Sequence, residues 1–328
     1  MTIDIDRPNA APSDADRPAP SGRGGRVGRG DPARTPRNDQ RNDGIWPWLF
    51  VLPLLIGVGV FFIWPILQTF WYSFTTWGVF GGATFTGVAN YVQLVTDPQF
   101  YLSLLNTLIY SAIVLLGIPI AVWLASLLNT PGLRFAQFYR VLFFLPYVAM
   151  PAAIALVWRM IYNGDYGILN YVLSRFGIDG PYWISTPGFA LVAISIVGLW
   201  SSLGFSMIIL GAGLKDIPPE LYEAAELDGA TRSRQFRSIT VPLLTPSIFF
   251  VVIITTISSF QLFDLLYALL GPNNPVIPRT MSLVFYFYNA GFIDNDKGFA
   301  AAIAMAIFVL IGIVTLVQFR VQRKWVQS

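Results

Sequence analysis

The chain contains no cysteine and no histidine. Their absence excludes disulfide frameworks, thiolate nucleophiles, zinc clusters and imidazole acid–base chemistry together. Charge is scarce as well: charged residues make up 12% of the 328 positions, against 55% hydrophobic. That composition is far too apolar for an ordinary soluble domain and points to a chain built for a bilayer. Lysine occurs at Lys215, Lys297 and Lys324 alone. None of the three follows a glycine or precedes a serine or threonine, so the phosphate-cradling pattern G-x4-G-K-[S/T] is missing. Nucleotide hydrolysis of that type therefore has to come from elsewhere.

What charge there is concentrates at one end. Residues 1–44 carry eight arginines and seven aspartates, several prolines and the run Ser21 to Gly30, with almost nothing apolar to bury. This composition reads as a disordered tail. Its interleaved aspartates nearly cancel the field that an Arg/Gly-rich segment would need to hold nucleic acid, so no nucleic-acid partner is expected. The apolar run that follows starts too late and runs too long for a cleavable signal peptide, so the tail is expected to stay attached.

Between Asp43 and Asp97 there is no charged residue, and residues 48–74 are long and apolar enough to cross a bilayer. Further spans are expected near 104–128, 138–161, 189–210, 241–263 and 299–319, six in all. The stretch 280–293, with 14 uncharged residues rich in Tyr and Phe, is too short to span and suits an interfacial or re-entrant helix. An even number of spans puts both termini on one side. Seventeen basic residues then fall on the side of the termini and only three on the other, which predicts cytoplasmic ends. Prolines 53, 65, 119, 146, 151, 242 and 246 lie in or at the ends of spans, so kinked helices are expected.

The segment 215–240, between the fourth and fifth spans, differs from the other connections. Pro218 and Pro219 suit a helix start, and Glu220, Glu223 and Glu226 follow where the helix dipole favours acids. Asp228 and Gly229 supply a turn, and Thr231 is placed to cap a second helix carrying Arg232, Arg234 and Arg237. Helical spacing groups Ile217, Leu221, Ala224, Ala225 and Asp228 on one face, with Glu220, Glu223 and Leu227 pointing elsewhere. Periodicity leaves two readings open, a docking element and a solvated connector.

The spacing of these residues resembles the hallmark loop of the integral membrane subunits of bacterial ABC importers. That loop reads E-A-A, three residues, G, nine residues, I-x-L-P. Here it is Glu223-Ala224-Ala225, Gly229, and Ile239-Thr240-Val241-Pro242, with Val241 in place of leucine as the single departure. The resemblance covers most of residues 45–328 and is nearest to the sugar permeases of the MalF/UgpA type, carried also by 140–151 (RVLFFLPYVAMP), 158–170 (WRMIYNGDYGILN) and 260–270 (FQLFDLLYALL). It departs from the maltose permease in lacking extra amino-terminal spans and a large external domain. In place of a Gly-rich turn after span five it has Gly271-Pro272-Asn273-Asn274-Pro275.

The resemblance implies an all-α type I permease fold of six transmembrane helices. It implies a coupling role toward the ATPase for Glu223, Ala224, Ala225, Asp228, Gly229, Ile239 and Pro242. It also implies a set of partners: a second homologous permease, a dimer of ABC ATPases that holds the ATP and magnesium, and an extracytoplasmic substrate-binding lipoprotein. No cofactor is expected on this chain.

A sugar is recognised by an aromatic ring against its C–H face and by polar groups against its hydroxyls. Two stretches offer both. On a helical span ending 258–264, Phe260, Gln261 and Asp264 fall together at i, i+1 and i+4. In span four, Trp200, Ser201, Ser202, Leu203 and Gly204 combine an aromatic, two hydroxyls and a glycine. Read from the residues, interhelical hydrogen bonding and small-residue packing are equally open. By resemblance, Phe260, Gln261, Asp264, Leu203 and Gly204 fall at sugar-lining positions. Tyr288 and Asn289 are weaker candidates, placed to meet a binding protein. The alternative function is an ion-gradient-driven secondary transporter, but that expects buried ionisable groups, and the spans here are nearly free of charge.

Overall fold

The computed structural model describes residues 46–77, 82–130 and 132–325. The expected tail, residues 1–44, lies outside them.

Helix α1 (Trp46–Val58) passes through a wide π turn at Gly59–Ile63 into α2 (Trp64–Tyr72). A short hairpin follows, β1 (Thr75–Trp77) antiparallel to β2 (Ala83–Phe85) with Thr75 opposite Phe85. After α3 (Ala89–Thr96), the Asp97 carboxylate accepts the Gln99 N–H at 2.8 Å and so starts α4 (Pro98–Leu115), which continues as α5 (Gly117–Leu128). The break between α4 and α5 falls where Pro119 withholds the N–H that the Leu115 carbonyl would accept. Helices α6 (Ala136–Val148) and α7 (Pro151–Ile161) come next, then α8 (Ile168–Ser174) and the 27-residue α9 (Phe189–Lys215). The connection that follows holds α10 (Glu220–Leu227) and α11 (Arg232–Gln235). It runs through a π turn at Phe236–Thr240 into α12 (Val241–Phe260). The chain ends with α13 (Asp264–Leu270), α14 (Ile277–Thr280), α15 (Leu283–Tyr288) and the 29-residue α16 (Lys297–Trp325).

The all-α class and the expected multi-span architecture hold, with one correction. Among the described residues five helical runs are long and apolar enough to cross a membrane, but the expected span 138–161 is two helices, α6 and α7, bent by 99°. The cause is local. Pro151 bars the helical conformation from the residue before it, and Met150 and Ala149 are both extended, with ψ of 133° and 143°. The fourth span extends to Lys215, beyond its expected end. The stretch 280–293 forms only a short helix, Leu283–Ile293, as its length required.

Helix α9 is the central element, packed against α4, α5, α6 and α12. Small residues make this possible: a Cβ on Gly198 would lie 2.3 Å from the Tyr110 hydroxyl of α4. Among the described residues apolar packing falls into two large clusters, one around Ile194, Leu266, Leu283 and Ile303 and another around Ala121, Leu203, Leu210 and Val251, with a smaller third around Ile154, Tyr162, Ala193 and Val197. The first cluster underlies a cap formed by residues 262–300, which side chains of α4 stitch in place. Asn106 donates to the Arg279 and Met281 carbonyls, each at 3.1 Å, and Gln99 donates to the Pro278 carbonyl at 2.9 Å. The Leu283 N–H donates to the Thr107 hydroxyl at 3.0 Å, and the Tyr286 hydroxyl donates to the Asp97 carboxylate. At the start of α16, Gly298 lets β1 approach so closely that a Cβ would lie 1.8 Å from the Thr75 carbonyl oxygen.

Candidate functional site

The connection between α9 and α12 begins as the sequence suggests. Pro219 precedes α10, Glu220 and Glu223 occupy its first turn, and the Thr231 hydroxyl accepts the Arg234 N–H at 3.4 Å. Its end is a Schellman closure: Gly229, at φ +73°, lets the Ala230 N–H reach the Ala225 carbonyl at 2.8 Å and its own N–H reach the Glu226 carbonyl at 3.0 Å. Two features differ from expectation. The second helix is not a separate unit, because α11 runs through its π turn directly into α12 as one rod from Arg232 to Phe260. The single face expected for α10 is also divided. Ile217 is buried and Ala225 half-buried, while Leu221, Ala224 and Asp228 are exposed.

The side that anchors α10 is the one carrying Tyr222, whose hydroxyl pairs with that of Thr240 at 2.9 Å. What α10 presents outward is Glu223, Ala224, Asp228, Gly229 and above all Leu227, which is 91% exposed. Helical spacing sets Leu227 off the expected face with Glu220 and Glu223, but gives it no role. Ile239 is half-buried within the π turn and Pro242 is exposed in the first turn of α12. A cavity of roughly 600 Å³ lies behind α10, walled by Lys215, Tyr222, Glu223, Glu226, Arg232 and Thr240 among others.

The candidate sugar residues are arranged differently from their expected geometry. Span five does not run to residue 263: α12 stops at Phe260, a turn intervenes, and α13 starts at Asp264. Phe260, Gln261 and Asp264 therefore do not share a helical face. Phe260 is 2% exposed, whereas Gln261 and Asp264 are exposed on the far side of the break. The far end of α13 is held from α7. The Arg159 Nε donates to the Leu269 carbonyl at 2.7 Å, placing a cation at the carboxyl end of α13. Gly271, at φ +76°, leaves that guanidinium room, since a Cβ there would lie 2.7 Å from its Nη2.

On α9, Leu203 belongs to the apolar core. A Cβ on Gly204 would lie 2.3 Å from the Phe143 carbonyl oxygen, so this glycine serves the close packing of α6. Trp200 remains partly exposed, its ring edge-on to Trp158 at 5.6 Å. Tyr147, inside a segment that carried the resemblance but not among the candidates, stacks on Phe205 at 5.0 Å and is 49% exposed. Tyr288 joins an aromatic group with Phe263 at 4.9 Å, Tyr267 at 5.7 Å and Phe292 at 5.4 Å.

The described residues thus form a multi-span helical bundle with a polar connection that turns an apolar side chain outward. Residues 113–327 match the family model described as "Binding-protein-dependent transport system inner membrane component". The chain belongs to that family.

Among its relatives are the "Probable ABC transporter permease protein YesP" of Bacillus subtilis, 33% identical over 92% of this chain and 97% of that one. Another is the "Trehalose/maltose transport system permease protein MalF" of Thermococcus litoralis, 34% identical over 84% and 93%. A third is the "sn-glycerol-3-phosphate transport system permease protein UgpA" of Yersinia pestis, 32% identical over 85% and 94%. In fold, the chain is similar to a subunit of a bacterial ABC transporter involved in the import of the acidic polysaccharide alginate, with a TM-score of 0.75 and 23% identity over 86% and 97% of the two chains. It is also similar to one in an alginate transporter complexed with a periplasmic protein bound to an alginate pentasaccharide, with a TM-score of 0.77 and 22% identity over 88% and 97%. Membership of a binding-protein-dependent family tells against the ion-gradient alternative.

Proposed function

We propose that this chain is the permease subunit that carries a sugar or related polyol inward by alternating access, driven by a separate ATPase dimer that holds the ATP and magnesium. A second homologous permease completes the path through the bilayer, and an extracytoplasmic binding protein delivers the solute. Both termini and the α9–α12 connection face the cytoplasm. The observation that carries this reading is α10 itself: a helix closed at its carboxyl end, anchored through Tyr222, with Leu227 and the small Ala224 directed outward. An exposed leucine on a rigid polar platform suits insertion into a cleft on a partner. Movement of that partner would then be passed through the continuous rod Arg232–Phe260 to the break at Gln261–Phe263.

The broken α12–α13 helix fits a solute site, since interrupted spans supply polar backbone within membrane depth. Gln261 and Asp264 would meet hydroxyls there, with Trp200 as an apolar wall. The names of the relatives, which include trehalose/maltose and glycerol-3-phosphate systems, support a carbohydrate or polyol.

The test is reconstitution with the ATPase and binding protein. Glu223→Ala and Gly229→Pro are expected to abolish binding-protein-stimulated ATPase activity and uptake, at least about ten-fold, with membrane insertion intact. Leu227→Ala should weaken ATPase assembly without lowering the thermal midpoint. Wild-type uptake by all three would refute the coupling role. Ligand binding by the external protein would name the sugar.

A further inference from the structure

A second cavity, of roughly 240 Å³, lies in the groove between α5, α6 and α9. Its lower walls are apolar, with Ala125 and Leu128 on α5 and Ile208 and Gly211 on α9, and its end is basic, with Arg140 on α6 and Lys215 on α9. Ile208, Gly211 and Lys215 fall at helical spacing on one stripe of α9, so the apolar slot and the cation follow one another along the same face. The slot is open at Gly211, where an added Cβ would meet no atom within 4 Å, and Ile208 on its rim is 45% exposed. No carboxylate lines this cavity among the described residues. Arg140 uses its Nη2 to donate to the Leu128 carbonyl at 3.1 Å and to Asn129 Oδ1 at 3.4 Å, and a guanidinium has five N–H donors in all.

An apolar slot along a membrane helix that ends in two cations complements one kind of molecule, an amphiphile with an anionic head. We propose that this groove binds an anionic phospholipid, its phosphate between Arg140 and Lys215 and one acyl chain laid over Gly211. Basic pockets between membrane helices are suited to such head groups, and the bilayer supplies them at high local concentration. Lys215 has a second consequence: it is also a wall of the larger cavity behind α10, beside Glu223 and Arg232. A phosphate held on Lys215 ties the end of α9 to the lipid surface and braces the connection that carries α10. Gly204, a sugar-lining position by resemblance, also lines this cavity, so lipid retention and solute uptake have to be read separately.

The experiment is native mass spectrometry of the full-length protein, released from detergent after incubation with phosphatidylglycerol or phosphatidylcholine of identical acyl chains. Phosphatidylglycerol should be retained several-fold more strongly than phosphatidylcholine. Lys215→Gln should lower its retention about five-fold, the value of one basic residue at a membrane surface. Gly211→Leu fills open space without changing charge, and it should lower phosphatidylglycerol retention comparably while leaving the thermal midpoint in detergent unchanged. Arg140 is left intact because it also holds the end of α5. Equal retention of the two lipids would overturn the proposal, as would full retention by both variants. Intact lipid retention with abolished uptake in Gly211→Leu would also overturn it, by making the groove a path for solute.

Discussion

The α9–α12 connection and the cap at residues 262–300 are both built from short helices and turns, yet they are held in opposite ways. In the connection the hydrogen bonds are local: Gly229 closes α10 onto its own last turn, and Tyr222 reaches Thr240 only 18 residues away. Its outward side chains, Glu223, Ala224 and Leu227, are left exposed. In the cap, Asn106, Thr107, Gln99 and Asp97 bond across 173 to 189 residues of chain, and most of those contacts are buried or part-buried. A segment fixed by long-range buried bonds is scaffold. One that completes its own backbone bonds and leaves an apolar side chain in the open is prepared for a partner.

The largest test of the scaffold side is Gly298→Ala. Its Cβ would press on the Thr75 carbonyl, a backbone atom that cannot swing aside, and a loss of about 3 kcal/mol is expected as a lowered thermal midpoint in detergent. Next comes Asn106→Ala, which leaves the Arg279 and Met281 carbonyls without their donor. It should cost about 2 kcal/mol by the same assay, with no matching loss from Glu223→Ala in the connection.

The smallest effect concerns pH. Burial, and then the hydrogen bond to Asp97, raise the Tyr286 phenol above its ordinary value of 10.0, so the folded protein keeps this proton at pH values where the unfolded chain has lost it. The stability it contributes is complete below pH 10 and is lost as pH rises above that value, because there the unfolded state binds fewer protons. Tyr286→Phe should flatten that alkaline decline in a series of melts. A decline of equal slope in the variant would remove Tyr286 from the scaffold.

Much of this division was legible in the sequence, and the reason is the range of the interactions. The boundaries of α10, its acidic first turn, Gly229 at its end and the Thr231 cap all follow from residues within a few positions of one another, as does the motif that runs from Glu223 to Pro242. Span positions followed from apolar length alone. The face of α10 did not, because which side turns inward depends on Thr240 being near enough to hold Tyr222. The same limit applied to the candidate sugar residues. Spacing gave Phe260, Gln261 and Asp264 one helical face, but it carried no sign that α12 would end at Phe260 and a separate α13 begin at Asp264. Gly204 could equally have been a contact for solute or for a helix until Phe143 was found against it.

The amino acids by themselves determined a membrane chain without histidine, cysteine or a phosphate loop, with its spans set by apolar length and its polar connection set by helix-capping chemistry. Each of those depends on composition or on neighbours a turn or two away. The tertiary structure alone decided that Gly204 packs against Phe143 and that α10 is anchored through Tyr222 on Thr240. It also decided that Arg140 and Lys215 close one groove. These depend on which helices meet, and that is settled by packing between residues far apart in the chain.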